Sequence, residues 1–153
     1  MDDPYNLERF VVAQSAVFDD VRSQLREGRK KSHWMWFVFP QLEGLGVSQT
    51  ARAFAISGLA EARAYLAHPV LGPRLRECCA LVNRVEGRSA HEIFGDPDDM
   101  KFRSCLTLFA AAAPGEEVFA QALEKYFGGE RDGRTTGRLG RGEHRPGKTA
   151  AAG

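Results

Sequence analysis

A chain of 153 residues with 43% hydrophobic and 27% charged side chains has the size and composition of one soluble globular domain. Its formal charge of +1 carries no overall signature for nucleic acid, and its three cysteines (Cys78, Cys79 and Cys105) lack the CxxC spacing of a zinc site or disulfide framework. The acidic start, residues 1–5, does not read as a signal peptide, and the longest apolar runs fall far short of the ~20 residues of a membrane helix, so a cytoplasmic protein without membrane contact is expected.

Leu7, Phe10, Val17, Phe18, Val21 and Leu25 recur at three- and four-residue spacing, which predicts one amphipathic helix over 7–27, capped by Asn6 and ended by Gly28. After the basic stretch 29–31, Ser32 is a candidate cap for an apolar turn over 33–39, which Pro40 limits. Residues 41–47, with Gly44 and Gly46, read as a loop. Ser48 starts a short helix to about 55, and Ser57 caps another over 59–67. His68 and Pro69 separate that helix from a long one whose buried stripe runs from Val70 to Val85, with Gly87 as its terminator. A short helix over 89–94 ends at Gly95, and Asp96-Pro97 reads as the cap and first turn of a helix carrying Phe102, Leu106, Phe109 and Ala113. A last helix is expected over 116–127, stopped by Gly128-Gly129. No stretch alternates with period two. The pattern is that of an all-α fold, a single compact domain of six to seven helices over 5–127.

Residues 128–153 read differently. From Gly129 onward there are six Lys or Arg against three acids, seven of the sixteen glycines, and almost no large apolar side chain. Such a segment lacks the surface to offset the entropy of ordering, so a disordered basic tail is expected. Within it, residues 142–149 fit G-x-x-x-x-G-K-[ST] letter for letter. A phosphate loop of that type needs a buried strand before it and a helix after it. Neither is expected here, and the match is read as coincidence.

The segment Lys31-Ser32-His33-Trp34-Met35-Trp36-Phe37-Val38-Phe39-Pro40-Gln41 holds both tryptophans of the chain beside a histidine. Together with Ala55-Ile56-Ser57, residues 61–72 around Tyr65-Leu66-Ala67-His68-Pro69, and residues 93–109, it resembles a bacterial family of unknown function that often carries the label "calpastatin". The resemblance runs from Pro4 to Gly129 and implies a mainly helical fold, with no established activity. Cys105 departs from the serine expected there, and the tail looks foreign to the family's ending. The calpastatin label does not suit this chain, because an inhibitor of that kind is extended and repetitive, whereas this sequence has no repeat and a full set of core stripes.

Two groups of polar residues stand out. Trp34 is placed to stack on a planar ligand, with His33 and Gln41 supplying hydrogen bonds, while Trp36 and Phe39 are expected to fill the core. In the second group, Asp98 pairs with Lys101 at i,i+3 and Asp99 with Arg103 at i,i+4. Asp99, Lys101 and Ser104 match the motif of the resembled family. Lys101 and Ser104, one turn apart, suit a phosphate or carboxylate. The expected site is therefore His33, Trp34, Gln41, Asp99, Lys101 and Ser104, formed where the two stretches meet. No metal-ligand motif, nucleophile elbow or cysteine–histidine pair is present, and neither metal nor cofactor is expected. The functional expectation is binding of a small planar or anionic ligand, or of a protein partner. The alternative is an enzyme acting on a nucleotide or an NAD- or ADP-ribose-like compound.

Overall fold

The stripe from Leu7 to Leu25 folds as two helices, α1 (Glu8–Ser15) and α2 (Phe18–Glu27). Between them Val17 N donates to Gln14 O, an i→i−3 bond that tightens the chain for one turn. The apolar spacing continues unbroken across this point, which is why period alone predicts one helix. Asn6 does not cap α1. The Asp3 carboxylate accepts from Leu7 N at 2.8 Å and Glu8 N at 2.9 Å, and these amides hold its carboxyl below the usual carboxylate range. Gly28 ends α2 in the left-handed conformation, as expected.

This computed structural model describes residues 2–143, with side chains as far as Gly140. The chain continues through α3 (Met35–Val38), α4 (Gln49–Ala53), α5 (Leu59–Ala67), α6 (Leu71–Arg84), α7 (Ala90–Phe94), α8 (Asp98–Ala112), α9 (Glu117–Phe127) and α10 (Gly133–Glu143). The fold is all-α, with ten helices among the described residues where six to seven were expected. An isolated bridge between Leu42 and Ile56 is the one β-type pairing described. No described helix is long and apolar enough to cross a membrane.

Helices α6 and α8 are central. α8 packs against α5, α7, α9 and α10, and α6 against α2, α5 and α9. Their close approach has local causes. His68 Nδ1 accepts from Val70 N and Leu71 N to open α6, and a Cβ on Gly72 would stand 2.1 Å from Leu66 O, so only glycine fits between α5 and α6. Arg76 and Glu116 form a two-pronged ion pair at 2.7 Å on each prong, joining α6 to the start of α9. Within the core, Phe102 lies 4.6 Å from Phe94 and 5.0 Å from Phe39, ring centre to ring centre, and Tyr65 bridges Phe10 and Phe109. Such pairs add ~0.5–1.5 kcal/mol each beyond their buried area. The cysteines are buried among these groups, and burial pushes the thiols of Cys78, Cys79 and Cys105 upward, away from the reactive thiolate.

The expectation of an unfolded segment from 128 onward fails for its first half. Asp132 Oδ2 accepts from Thr135 N at 2.9 Å and Thr135 Oγ1 at 2.6 Å, a cap that starts α10. Thr135 and Leu139 are buried one turn apart, and Leu139 joins the core. Four glycines within Gly133–Glu143 disfavour a helix, but one good cap and two core contacts outweigh them. The residues before the phosphate-loop pattern are thus helical, where that loop needs a strand. Residues 144–153, with most of the pattern, lie outside the described residues. Ending the full chain at Gly129 should lower stability by about 2–3 kcal/mol, mainly the transfer of Leu139 to water and the unpairing of groups on α8. Denaturant unfolding reads the loss, and stability unchanged within ~0.5 kcal/mol would show that α10 contributes nothing to the core.

Candidate functional site

Between α3 and α5 the chain makes its longest excursion from regular helix. Pro40 halts α3, and Gly44 turns the chain at φ +95°. Glu43 N then donates to Ile56 O and Ile56 N to Gln41 O, at 2.8 and 2.9 Å. The Ser48 hydroxyl accepts from Ala51 N and starts α4, the cap its sequence predicts. The two arms of this excursion enclose a cavity of about 190 Å³. Its lining residues include Trp36, Gln41, Glu43, Gly44, Arg52 and Phe54. Phe54 is fixed by rings on either side, Phe10 at 5.6 Å and Phe37 at 5.4 Å. Among the described residues, the side chains of Gln41, Glu43 and Arg52 have no hydrogen bond or ion pair.

An irregular stretch leaves carbonyls that no helix satisfies, and here arginines from elsewhere supply the donors. Arg9 of α1 donates Nε to Ala53 O and Nη2 to Ala55 O, both at 2.8 Å, and pairs with Glu61 at 3.1 Å. Glu61, buried, also accepts from the amide and hydroxyl of Ser57, so Ser57 donates to Glu61 instead of capping α5. On the other arm, Arg134 donates to Leu45 O at 3.1 Å and Arg138 to Glu43 O at 2.9 Å.

Charge gathers around the tryptophans. Asp98, at the start of α8, accepts from Lys30 Nζ at 2.9 Å and Lys101 Nζ at 3.4 Å. The same ammonium groups lie over indole rings, Lys30 at 5.4 Å from the centre of Trp34 and Lys101 at 5.0 Å from that of Trp36. Asp98 thus draws both cations onto both rings, and the tryptophan segment touches α8 through these contacts.

The six residues singled out in sequence part company in space. Gln41 lines the cavity, and Lys101 reaches it through Trp36. Trp34 is 1% exposed and donates Nε1 to Gln24 Oε1 at 2.9 Å, while Ser104 is buried and donates to Met100 O within its own helix. His33 is exposed and unpartnered among the described residues. Asp99 accepts from Met100 N and faces His91 at 3.5 Å, and its expected partner Arg103 donates instead to the carbonyls of Glu130 and Arg131. Ser32 accepts from Gln24 and does not cap α3, and α8 begins without a side-chain cap from Asp96. The two indoles exchange the roles expected of them, Trp34 filling the core and Trp36 walling the cavity. Sequence reasoning missed Arg52 and Phe54. The signal that points to them is an aromatic and an arginine following a Gly-x-Gly loop, with no helical stripe to claim either. Asp98→Ala should destabilise the fold by about 2 kcal/mol in denaturant unfolding, since Lys30, only 9% exposed, loses its counter-charge. A change below ~0.5 kcal/mol would show that the two lysines do not depend on it.

The family described as "Protein of unknown function (DUF1810)" matches residues 4–139. Among solved structures, the crystal structure of the conserved hypothetical protein Rv1873 from Mycobacterium tuberculosis is similar to this chain with a TM-score of 0.89 and 56% sequence identity. That similarity covers 90% of this chain and 99% of the other. No curated protein matches the chain. The match runs through Leu139, so the first part of the segment expected to be foreign lies within the family's span. Cavity, lysine–tryptophan pairs and the arginine ties from α10 all fall inside it, and the chain belongs to the DUF1810 family of bacterial proteins of unknown function.

Proposed function

We propose that this domain binds a small planar ligand carrying an anionic group, with the ring in the cavity beside Trp36 and the anion at Arg52. The observation that carries the reading is a cavity lined by two aromatic residues and by Arg52 and Gln41, whose side chains have no partner among the described residues. A cavity of about 190 Å³ has room for one ring system, since an apolar cavity of ~150 Å³ admits benzene. Trp36 and Phe54 offer ring faces or edges to such a group. Arg52 suits the two oxygens of a phosphate or carboxylate, and Gln41 both donates and accepts. Lys101, over the Trp36 ring, and Arg134 and Arg138, on the loop carbonyls, add positive charge around the same site.

A protein partner is less well supported. Among the described residues the large exposed apolar side chains are Val12, Val47 and Met100, each on a different element. An enzyme acting on a nucleotide or NAD-like compound would use the same cavity, but His33, the histidine expected in the site, does not line it. Binding is therefore the reading that the geometry favours.

Titration with adenosine monophosphate, NAD, ADP-ribose and nicotinate, followed by tryptophan fluorescence, tests it. At least one should give a saturable change. Arg52→Ala should weaken that binding about tenfold or more without moving the unfolding midpoint, because the Arg52 side chain is exposed and makes no bond among the described residues. No saturable response across the panel, or equal affinity in the variant, would remove the cavity from consideration as an anion-binding ring site.

A further inference from the structure

None of the described side chains of α10 lines the cavity, yet it is the element that holds one of its arms. Its near end is tied to α8. Arg103 donates to Glu130 O at 2.9 Å and Arg131 O at 2.8 Å, and the Thr107 hydroxyl accepts from Asp132 N at 2.9 Å. Buried Thr135 and Leu139 then seat the helix on the core. From that seat Arg134 and Arg138, one turn apart, reach Leu45 O and Glu43 O, the carbonyls on either side of Gly44. Among the described residues, these two carbonyls accept from α10 alone.

The loop is shaped to receive these side chains. A Cβ built on Gly44 would lie 2.2 Å from the Arg138 guanidinium, and its φ of +95° also favours glycine. Glu43 and Gly44 are cavity walls, so the position of this loop sets the width of the site. The loop's other described backbone ties are both to Ile56, from Glu43 N to Ile56 O and from Ile56 N to Gln41 O.

We propose that α10 is a strap that positions the cavity loop, with Arg134 and Arg138 as positioning residues, so that the site is incomplete without the C-terminal helix. The proposal rests on the cavity being the ligand site, but the positioning itself is testable without a ligand. Two carbonyls released to water should let the loop open far more often than the helices around it, because a hydrogen bond from a charged donor is worth more than a neutral one.

In the full chain carrying Arg134→Ala and Arg138→Ala, exchange of the Glu43 amide with deuterated water should quicken about tenfold or more. Amides inside α5 and α9 should keep their rates. Acrylamide should quench Trp36 more strongly, while Trp34 stays shielded at 1% exposure. Gly44→Ala, which displaces Arg138 from the loop side, should reproduce the effect. Arg131→Ala removes one charge, as much as either single replacement, from a side chain with no described bond and should change nothing. An unchanged Glu43 rate in the double variant would overturn the proposal. So would an acceleration matched throughout the core, which marks global weakening, or one matched in Arg131→Ala, which marks a charge effect. If the loop loosens as expected while the wild-type chain binds none of the four compounds above, the strap stands and the ligand reading falls.

Discussion

Backbone carbonyls left over by an irregular stretch must find donors, and in this protein the donors are guanidinium groups from distant parts of the chain. Between α3 and α5 the carbonyls of Glu43, Leu45, Ala53 and Ala55 accept from Arg138, Arg134 and Arg9. Arginine suits this work because its fork presents several donors in one plane. Arg9 alone satisfies four carbonyls and pairs with Glu61. The excursion is held open by contacts from both ends of the chain, and the cavity is the space that results. A helix over the same residues would have satisfied its own carbonyls and left no cavity.

The apolar core provides the frame on which those arginines sit. α1 is fixed by Phe10 against Tyr65 and by the Gln14 carboxamide, which donates to Phe37 O and Tyr65 Oη from a buried position. A buried amide without partners would cost about 1–3 kcal/mol, so these bonds select one placement of α1 against α3 and α5. α10 is placed by Leu139 and by its ties to α8. Trp36 stands between the two systems. One neighbour is Lys101, held by the Asp98 ion pair, and another is the open cavity. Sequence distance is large throughout, 95 residues for Arg138 and Glu43, so the site forms only when the whole domain has folded.

This explains which parts were legible in the sequence. Helices with a buried stripe, such as α6 with Leu71, Leu75, Cys78 and Val82, announce themselves by period, and Gly28 and Gly128 mark their ends. The break after Ser15 leaves no mark, because the stripe carries across it. α10 was hidden by composition. Four glycines and several arginines describe an unfolded segment on average, whereas a single Asp132–Thr135 cap and one buried leucine decide the matter locally. In the site, aromatic richness drew attention to the right segment, residues 33–41, but could not say which indole faces in. That choice depends on Gln24, ten residues away from Trp34, whose carboxamide accepts its Nε1–H and fixes it in the core. Arg52 has no stripe, no motif and, among the described residues, no side-chain partner, and only the folded loop gives it a role.

The forked donors of Arg9, Arg134 and Arg138 hold the backbone that shapes the cavity at Trp36. Only two tryptophans exist, so their indole N–H signals in a nitrogen-15 correlation spectrum report separately on core and cavity. Arg9→Lys keeps the charge but cannot reach all of the acceptors that the guanidinium serves. The Trp36 signal should shift or broaden in that variant while the Trp34 signal, bonded to Gln24, stays in place. Two unmoved signals, with the fold intact, would contradict it.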